Sequence, residues 1–351
     1  MKKTALFLAL GSTLFVANSA MADVSVYGRV TYNMLKDDTS KDVYFGRHEF
    51  AESNFGFKGT FDYGNLKFGA QLEVGLDEGV SNILHAEGNS RTRIQELSVS
   101  GSFGKVKLGT GAGITWIISD VDQSGTWWSD PLGMSSRFGA SRRGPSGESQ
   151  TPFVQTQSIF NERIVYESPT FLEGAKFYAQ MSEASGYEVA IKYVANGWRV
   201  NVWNVDYGDV DRNLDPDETL VEDPQANIDE NGTAGFFGAT DGRGVLAGYK
   251  HSSGVNFTAT YGEADQVDDS KREFINWKLG YTKDKHAVSI SMGNYSSEDG
   301  SGVSGPDHTR TTLAYNFKPL TGVQLWAQAT KGDTDDQESF NALVLGGLVK
   351  F

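Results

Sequence analysis

The sequence predicts an all-β fold: sixteen antiparallel strands closed into a transmembrane β-barrel. Three observations carry that expectation. Apolar and polar residues alternate with a period of two along most of the chain, an export signal precedes the first such segment, and the connections sort by length onto alternate ends. Composition fits. The 351 residues include 41 Gly, 42 aromatic residues and no Cys, so disulfide scaffolds, thiol nucleophiles and Cys-based metal sites are all excluded. A formal charge of −14 opposes a nucleic-acid partner, because the field of the whole chain would repel phosphates.

The first element is the export signal. Lys2 and Lys3 precede an apolar stretch from Thr4 to Ala17, and Ala20-Met21-Ala22 supplies a small-x-small cleavage pattern. Residues 1–22 are therefore expected to be removed, which takes the formal charge to −16 and sends residues 23–351 out of the cytoplasm. No later run approaches the roughly 20 apolar residues of a spanning helix, which excludes a helical membrane protein.

The strands follow. Val24, Val26, Val30, Tyr32 and Met34 share one parity, against Ser25, Tyr27, Arg29, Thr31 and Asn33 on the other. Side chains alternate across a strand, so this segment has one apolar and one polar face. Leu66 to Leu76, Ala175 to Met181, Val255 to Tyr261, Ile275 to Tyr281 and Thr311 to Phe317 repeat the pattern. Sixteen segments result: 24–34, 50–61, 66–76, 94–103, 105–113, 161–167, 175–183, 187–194, 198–207, 245–251, 255–262, 273–281, 286–295, 309–317, 323–330 and 341–351.

The connections come next. One set is short: 62–65, 104, 168–174, 195–197, 252–254, 282–285 and 318–322. The intervening set is mostly long (35–49, 77–93, 114–160, 208–244, 263–272, 296–308 and 331–340), with 184–186 as the exception. A soluble sandwich has no reason to segregate its loops this way, whereas a transmembrane barrel has short turns on one side and long loops on the other. Closure leaves no strand edge facing lipid, where each unpaired backbone group costs several kcal/mol. A barrel of about sixteen strands is too wide for side chains to fill, so an aqueous passage for solutes is expected.

Several blocks resemble the Gram-negative general porins, a family of trimeric sixteen-stranded diffusion channels. They are Asp23-Val24-Ser25-Val26-Tyr27-Gly28-Arg29, Ser53-Asn54-Phe55-Gly56-Phe57-Lys58-Gly59, Leu97 through Gly109, Val165-Tyr166-Glu167-Ser168-Pro169 and the terminal Lys350-Phe351. The resemblance implies an outer-membrane homotrimer in contact with lipid and lipopolysaccharide, with the long third loop, 114–160, folded into the lumen as a constriction. It also implies that Phe351 is an assembly signal, and that acidic loop residues face a basic ladder on the wall.

On that basis the loop side of the pore would carry Asp120, Asp122 and Asp130, and the wall Arg29, Lys58 and Arg93. Asn54 and Thr110 stand where many members have Arg, which thins the basic wall. Arg137, Arg142 and Arg143 lie on the loop itself and would either line the pore or occupy a solvated flank. The expected function is passive diffusion of small hydrophilic solutes and ions, with weak cation preference. One alternative is a sugar-selective channel in which Trp116, Trp127 and Trp128 stack on sugar rings; a remoter one is a surface adhesin or receptor barrel.

Other motifs reduce to ordinary readings. The loop 208–244 holds ten acidic residues against Arg212 and Arg243 and reads as a solvated loop that divalent ions could bridge to lipopolysaccharide phosphates. Asp209-x-Asp211-x-Asn213-x-Asp215 resembles a calcium loop, but Leu214 and Leu220 stand where that loop needs Gly and Glu, so no metal site is expected. No amphipathic helix is expected after Gly109-x-Gly111-x-Gly113, so it reads as a bend from wall to lumen rather than a phosphate cradle. His48, His85, His251, His286 and His308 form no catalytic or metal spacing; neither an enzyme nor a cofactor is expected.

Overall fold

A computed structural model describes residues 23–38, 43–46, 53–76, 92–119, 121, 123–126, 160–182, 186–206, 239–266, 269–305, 307–335 and 339–351. Its elements are β1 (Asp23–Asp37), β2 (Tyr44–Gly46), β3 (Ser53–Tyr63), β4 (Leu66–Leu76), β5 (Thr92–Gly101), β6 (Gly104–Ala112), α1 (Ile114–Ser119), β7 (Phe160–Glu167), β8 (Ala175–Ser182) and β9 (Tyr187–Ala195). They continue with β10 (Trp198–Asp206), β11 (Ala239–Lys250), β12 (Val255–Gln266), β13 (Lys271–Lys283), β14 (His286–Glu298), β15 (His308–Phe317), β16 (Val323–Thr334) and β17 (Phe340–Lys350).

All neighbours pair antiparallel, and β17 returns to pair with β1, so the sheet closes. Sixteen staves result from seventeen segments because β2 and β3 share one position along β1. Asn33 to Leu35 pair with β2, and Asp23 to Arg29 pair with β3. In the gap between them the Ser53 hydroxyl oxygen accepts the Thr31 N–H at 3.0 Å, replacing a missing ladder bond with a side chain. The last residue completes the seam: Gly28 N–H donates to the Phe351 carbonyl at 3.0 Å, and Phe351 N–H donates back at 3.1 Å.

Alternation sorts the faces as expected. On β13, Ile275 and Leu279 are 54% and 48% exposed, whereas Asn276 and Lys278 between them are 2% and 1% exposed. Across the hydrocarbon belt apolar side chains therefore point outward, and the inward face is mostly polar. Near the short-turn end the outward ring is aromatic: Phe61 stacks on Phe68 at 5.0 Å, and Trp198 lies 4.9 Å from Tyr249. Such girdles mark membrane–water boundaries.

Several connections are shorter than the sequence pattern indicates. The strand β11 begins at Ala239, so Asp241 and Arg243 belong to the wall and not to a loop spanning 208–244. Likewise β12 and β13 run to Gln266 and from Lys271, leaving four residues where a ten-residue loop was expected. The strands β14, β16 and β1 also overrun their predicted ends, and Phe160 starts β7. The cause is shared. Beyond the hydrocarbon belt the outward residues are polar, for example Arg243, Glu263, Asp265, Lys271 and Glu273, so alternation vanishes although the ladder continues. The expected signal segment lies outside the described residues, as do residues 208–238 of the acidic loop.

Candidate functional site

The inward face of β1 to β7 carries a chain of paired charges. Glu73 on β4 receives the Tyr27 hydroxyl at 2.9 Å, and the Gln71 amide donates to that same hydroxyl oxygen at 2.7 Å. The Arg93 guanidinium Nε lies 2.9 Å from the other Glu73 oxygen. Strict alternation would set Arg93 on the parity of Leu97 and Val99, facing lipid. A β-bulge prevents this: Glu73 pairs with Ile94 and Val74 with Thr92, leaving Arg93 as the extra residue turned inward.

A second cluster centres on Glu96 of β5. One carboxylate oxygen lies 3.2 Å from the Lys107 ammonium, and the other accepts from Arg163 Nη2 at 3.0 Å. Arg163 also donates from Nη1 to the Gly109 carbonyl at 3.3 Å, so its guanidinium lies flat across β6. The glycines make that possible. A Cβ on Gly111 would stand 2.4 Å from Nη1 and 2.6 Å from Nη2, and Gly109 holds φ at +121° with the Gln95 carbonyl against it. The Gly109-x-Gly111 pair thus forms a notch for a guanidinium.

Beyond Gly113 the chain leaves the wall, and a short helix with one buried face follows it, which corrects the expectation that no amphipathic helix follows these glycines. Ile114 and Ile118, four apart and so on one face, bury against inward residues Val165, Ala190, Trp203 and Leu246. The helix ends are satisfied by the wall. Ile114 N–H donates to Gln180 at 3.2 Å, and Thr115 gives both its N–H (2.8 Å) and hydroxyl (2.7 Å) to one oxygen of Glu188. The Asn201 amide donates to the Ile118 carbonyl at 2.7 Å. With its first N–H groups taken by a carboxylate and an amide, α1 offers nothing to a phosphate.

Further along, the Thr126 and Ser289 hydroxyls lie 2.6 Å apart, Thr282 donates to the Ser124 carbonyl at 2.6 Å, and the Asn316 amide to Gly125 at 3.0 Å. The described part of this segment therefore engages inward side chains first of β8 to β10, then of β13 to β15.

Among the residues singled out from sequence, Arg29 and Lys58 occupy inward positions, and the Lys58 ammonium sits 4.5 Å from the centre of the Tyr27 ring. Arg93 is inward and ion-paired. Trp116 is half-buried in α1. Phe351 lies across the seam, its ring so near Gly28 that a Cβ there would be 2.6 Å from Cζ. Asp120, Asp122, Asp130, Arg137, Arg142, Arg143, Trp127 and Trp128 lie outside the described residues. Sequence reasoning missed Glu73, Glu96, Lys107, Arg163 and Glu188 as partners. The available signal was a charge on the inward parity of a strand, and that parity says nothing about pairing.

Comparison with known proteins agrees with this architecture. The family model for Gram-negative porins matches residues 5–337. An anion-selective porin from Comamonas acidovorans superposes with a TM-score of 0.65 at 15% identity, covering 94% of this chain and 100% of that one. OmpT, an outer membrane protein of Vibrio cholerae, superposes at 0.65 with 14% identity and 95% and 99% coverage. OmpF from Salmonella typhi, in complex with daunomycin, gives 0.61 at 15% identity, with 93% and 97% coverage. No curated protein sequence matches the chain.

Proposed function

The chain belongs to the Gram-negative porins, outer-membrane barrels through which small hydrophilic solutes and ions diffuse passively, and we propose that its passage is narrowed by residues 114–160. The observation that carries this reading is the docking of Ile114–Ser119 and Ser124–Thr126 on inward side chains of two separate parts of the wall, β8 to β10 and β13 to β15. In the proposed arrangement Arg29, Lys58 and Arg93 form the wall side, Asp120, Asp122 and Asp130 the loop side, and Arg137, Arg142 and Arg143 modulate the field from the loop. Pairing of Arg93, Lys107 and Arg163 with Glu73 and Glu96 supports weak cation preference, since it removes part of the positive field.

The proposal includes a homotrimer without enzymatic activity, supported by the trimer form of OmpT from Vibrio cholerae and by the family match. It also includes removal of residues 1–22 on export, and contact of the acidic loop with lipopolysaccharide through divalent ions. Planar-bilayer recording tests the central claim. Large ohmic steps are expected, with reversal potentials showing mild cation preference that falls when Asp120, Asp122 and Asp130 are replaced together by Asn. Anion preference in the unaltered protein, or selectivity indifferent to those three replacements, would overturn this assignment. Current blocked by sugars would favour the tryptophan-based selective channel instead.

A further inference from the structure

We propose that Glu96 is a specificity-determining residue of the channel: by drawing Lys107 and Arg163 against the wall of β6 it offsets their charge and biases the lumen toward cations. This rests on the reading of the inward face as the conducting surface. Three placements support it. Glu96 touches two cations at once, at 3.2 Å and 3.0 Å, one through each carboxylate oxygen. Its side chain is 8% exposed and that of Arg163 3%, so the pair is shielded from salt, whereas Lys107 at 20% still meets the lumen. The notch at Gly109 and Gly111 recesses the guanidinium, keeping this positive charge off the path that ions take.

The cluster also sits at the level where the chain leaves the wall. Arg163 pairs with Gly109 and Ser182, and α1 begins one residue beyond Gly113, anchored to Gln180 on β8, the strand next to Arg163, and to Glu188 on β9, one strand further. A charge here therefore lies beside the proposed narrowing, where a point charge has most influence on passing ions. As formal charges, Glu96 reduces the two cations to a net single positive charge; without it the wall presents both.

The test is the reversal potential across a planar bilayer under a potassium chloride gradient. Glu96→Gln should lower the cation-to-anion permeability ratio about threefold, the order expected for one charge acting through water on ions passing beside it at about 0.1 M salt. Lys107→Gln, which leaves the Glu96–Arg163 pair intact and guards against a folding defect in the first variant, should raise the ratio by a similar factor. The double variant should return close to the starting value. Glu298→Gln, at the far end of β14, controls for charge changes outside the lumen and should leave the ratio unchanged. Ohmic channels whose ratio ignores both Glu96→Gln and Lys107→Gln would refute the role of Glu96 while leaving the channel reading standing. A protein with no conductance in any form would refute the channel reading itself.

Discussion

Replacing Gly111 by Ala changes no charge and asks nothing unusual of the backbone, yet it should destabilise the barrel. Its new methyl would stand 2.4 Å from Arg163 Nη1, and normal contact is about 3.5 Å, so the guanidinium must retreat by about 1 Å. Stretching the 3.0 Å pair with Glu96 by that amount costs about 1.4 kcal/mol at an effective dielectric of about 20. Losing the bond to the Gly109 carbonyl adds about 1 kcal/mol. Against this, Ala in a strand is intrinsically better than Gly by about 0.5–1 kcal/mol. The net expectation is a loss of about 1.5 kcal/mol, measured by equilibrium urea unfolding of the barrel refolded into lipid vesicles. In an Arg163→Met background the guanidinium is gone, and the same Gly111→Ala change should become stabilising. That reversal of sign is the decisive readout. If Ala costs as much in the Arg163→Met background as it does beside the native arginine, the notch is not what Gly111 provides.

Three further outcomes follow from other contacts. Glu188→Gln leaves the two Thr115 donors facing a neutral acceptor, so α1 should detach more readily; open-channel current noise should rise with little change in barrel stability. Gly28→Ala drives a methyl into the Phe351 ring and to 2.8 Å from the Asn54 carbonyl, and deleting Phe351 removes both seam bonds; each should lower the yield of folded barrel several-fold on unheated gels. In the turn after β14, Asp299 accepts the N–H of Val303 at 2.9 Å and the N–H and hydroxyl of Ser301, and these donors hold its carboxyl below the usual carboxylate range. A group so depressed stabilises the turn above its ordinary value of 3.8 and loses that contribution as the pH falls through the lower folded value. Pepsin should therefore cut residues 299–305 faster as the pH drops below about 3.8, whereas Asp299→Ala should be cut rapidly at every pH tested.

The strand count and the facing of nearly every stave were legible because a lipid-exposed strand must alternate, and β4, residues 24–34 of β1 and residues 275–281 of β13 do so without interruption. Strand ends were less so. Outside the hydrocarbon nothing forces outward residues to be apolar, and Asp241, Arg243 and Glu263 look like loop residues although they are laddered. Arg93 was identified by resemblance but not its geometry, because a one-residue bulge reverses parity and leaves no mark in composition. The charge pairs were illegible for a different reason. Glu96 and Arg163 are 67 residues apart, and only the cross-strand register through Gly109 brings them together. The helix at Ile114 is too short for its periodicity to stand out, and it exists because the wall supplies its end groups.

The overrun of β11 to β14 past the greasy belt has a mechanical result. Arg243 is bonded to Glu263, the Tyr261 hydroxyl reaches Glu263 at 2.5 Å and Glu273 at 3.3 Å, and Ser296 donates to Glu273 at 3.1 Å. These links brace four adjoining strands into a stiff parapet standing clear of the bilayer. A foreign peptide spliced between Gln266 and Lys271 would be held aloft on that rampart, presented to whatever arrives from outside while the hole beneath stays undisturbed.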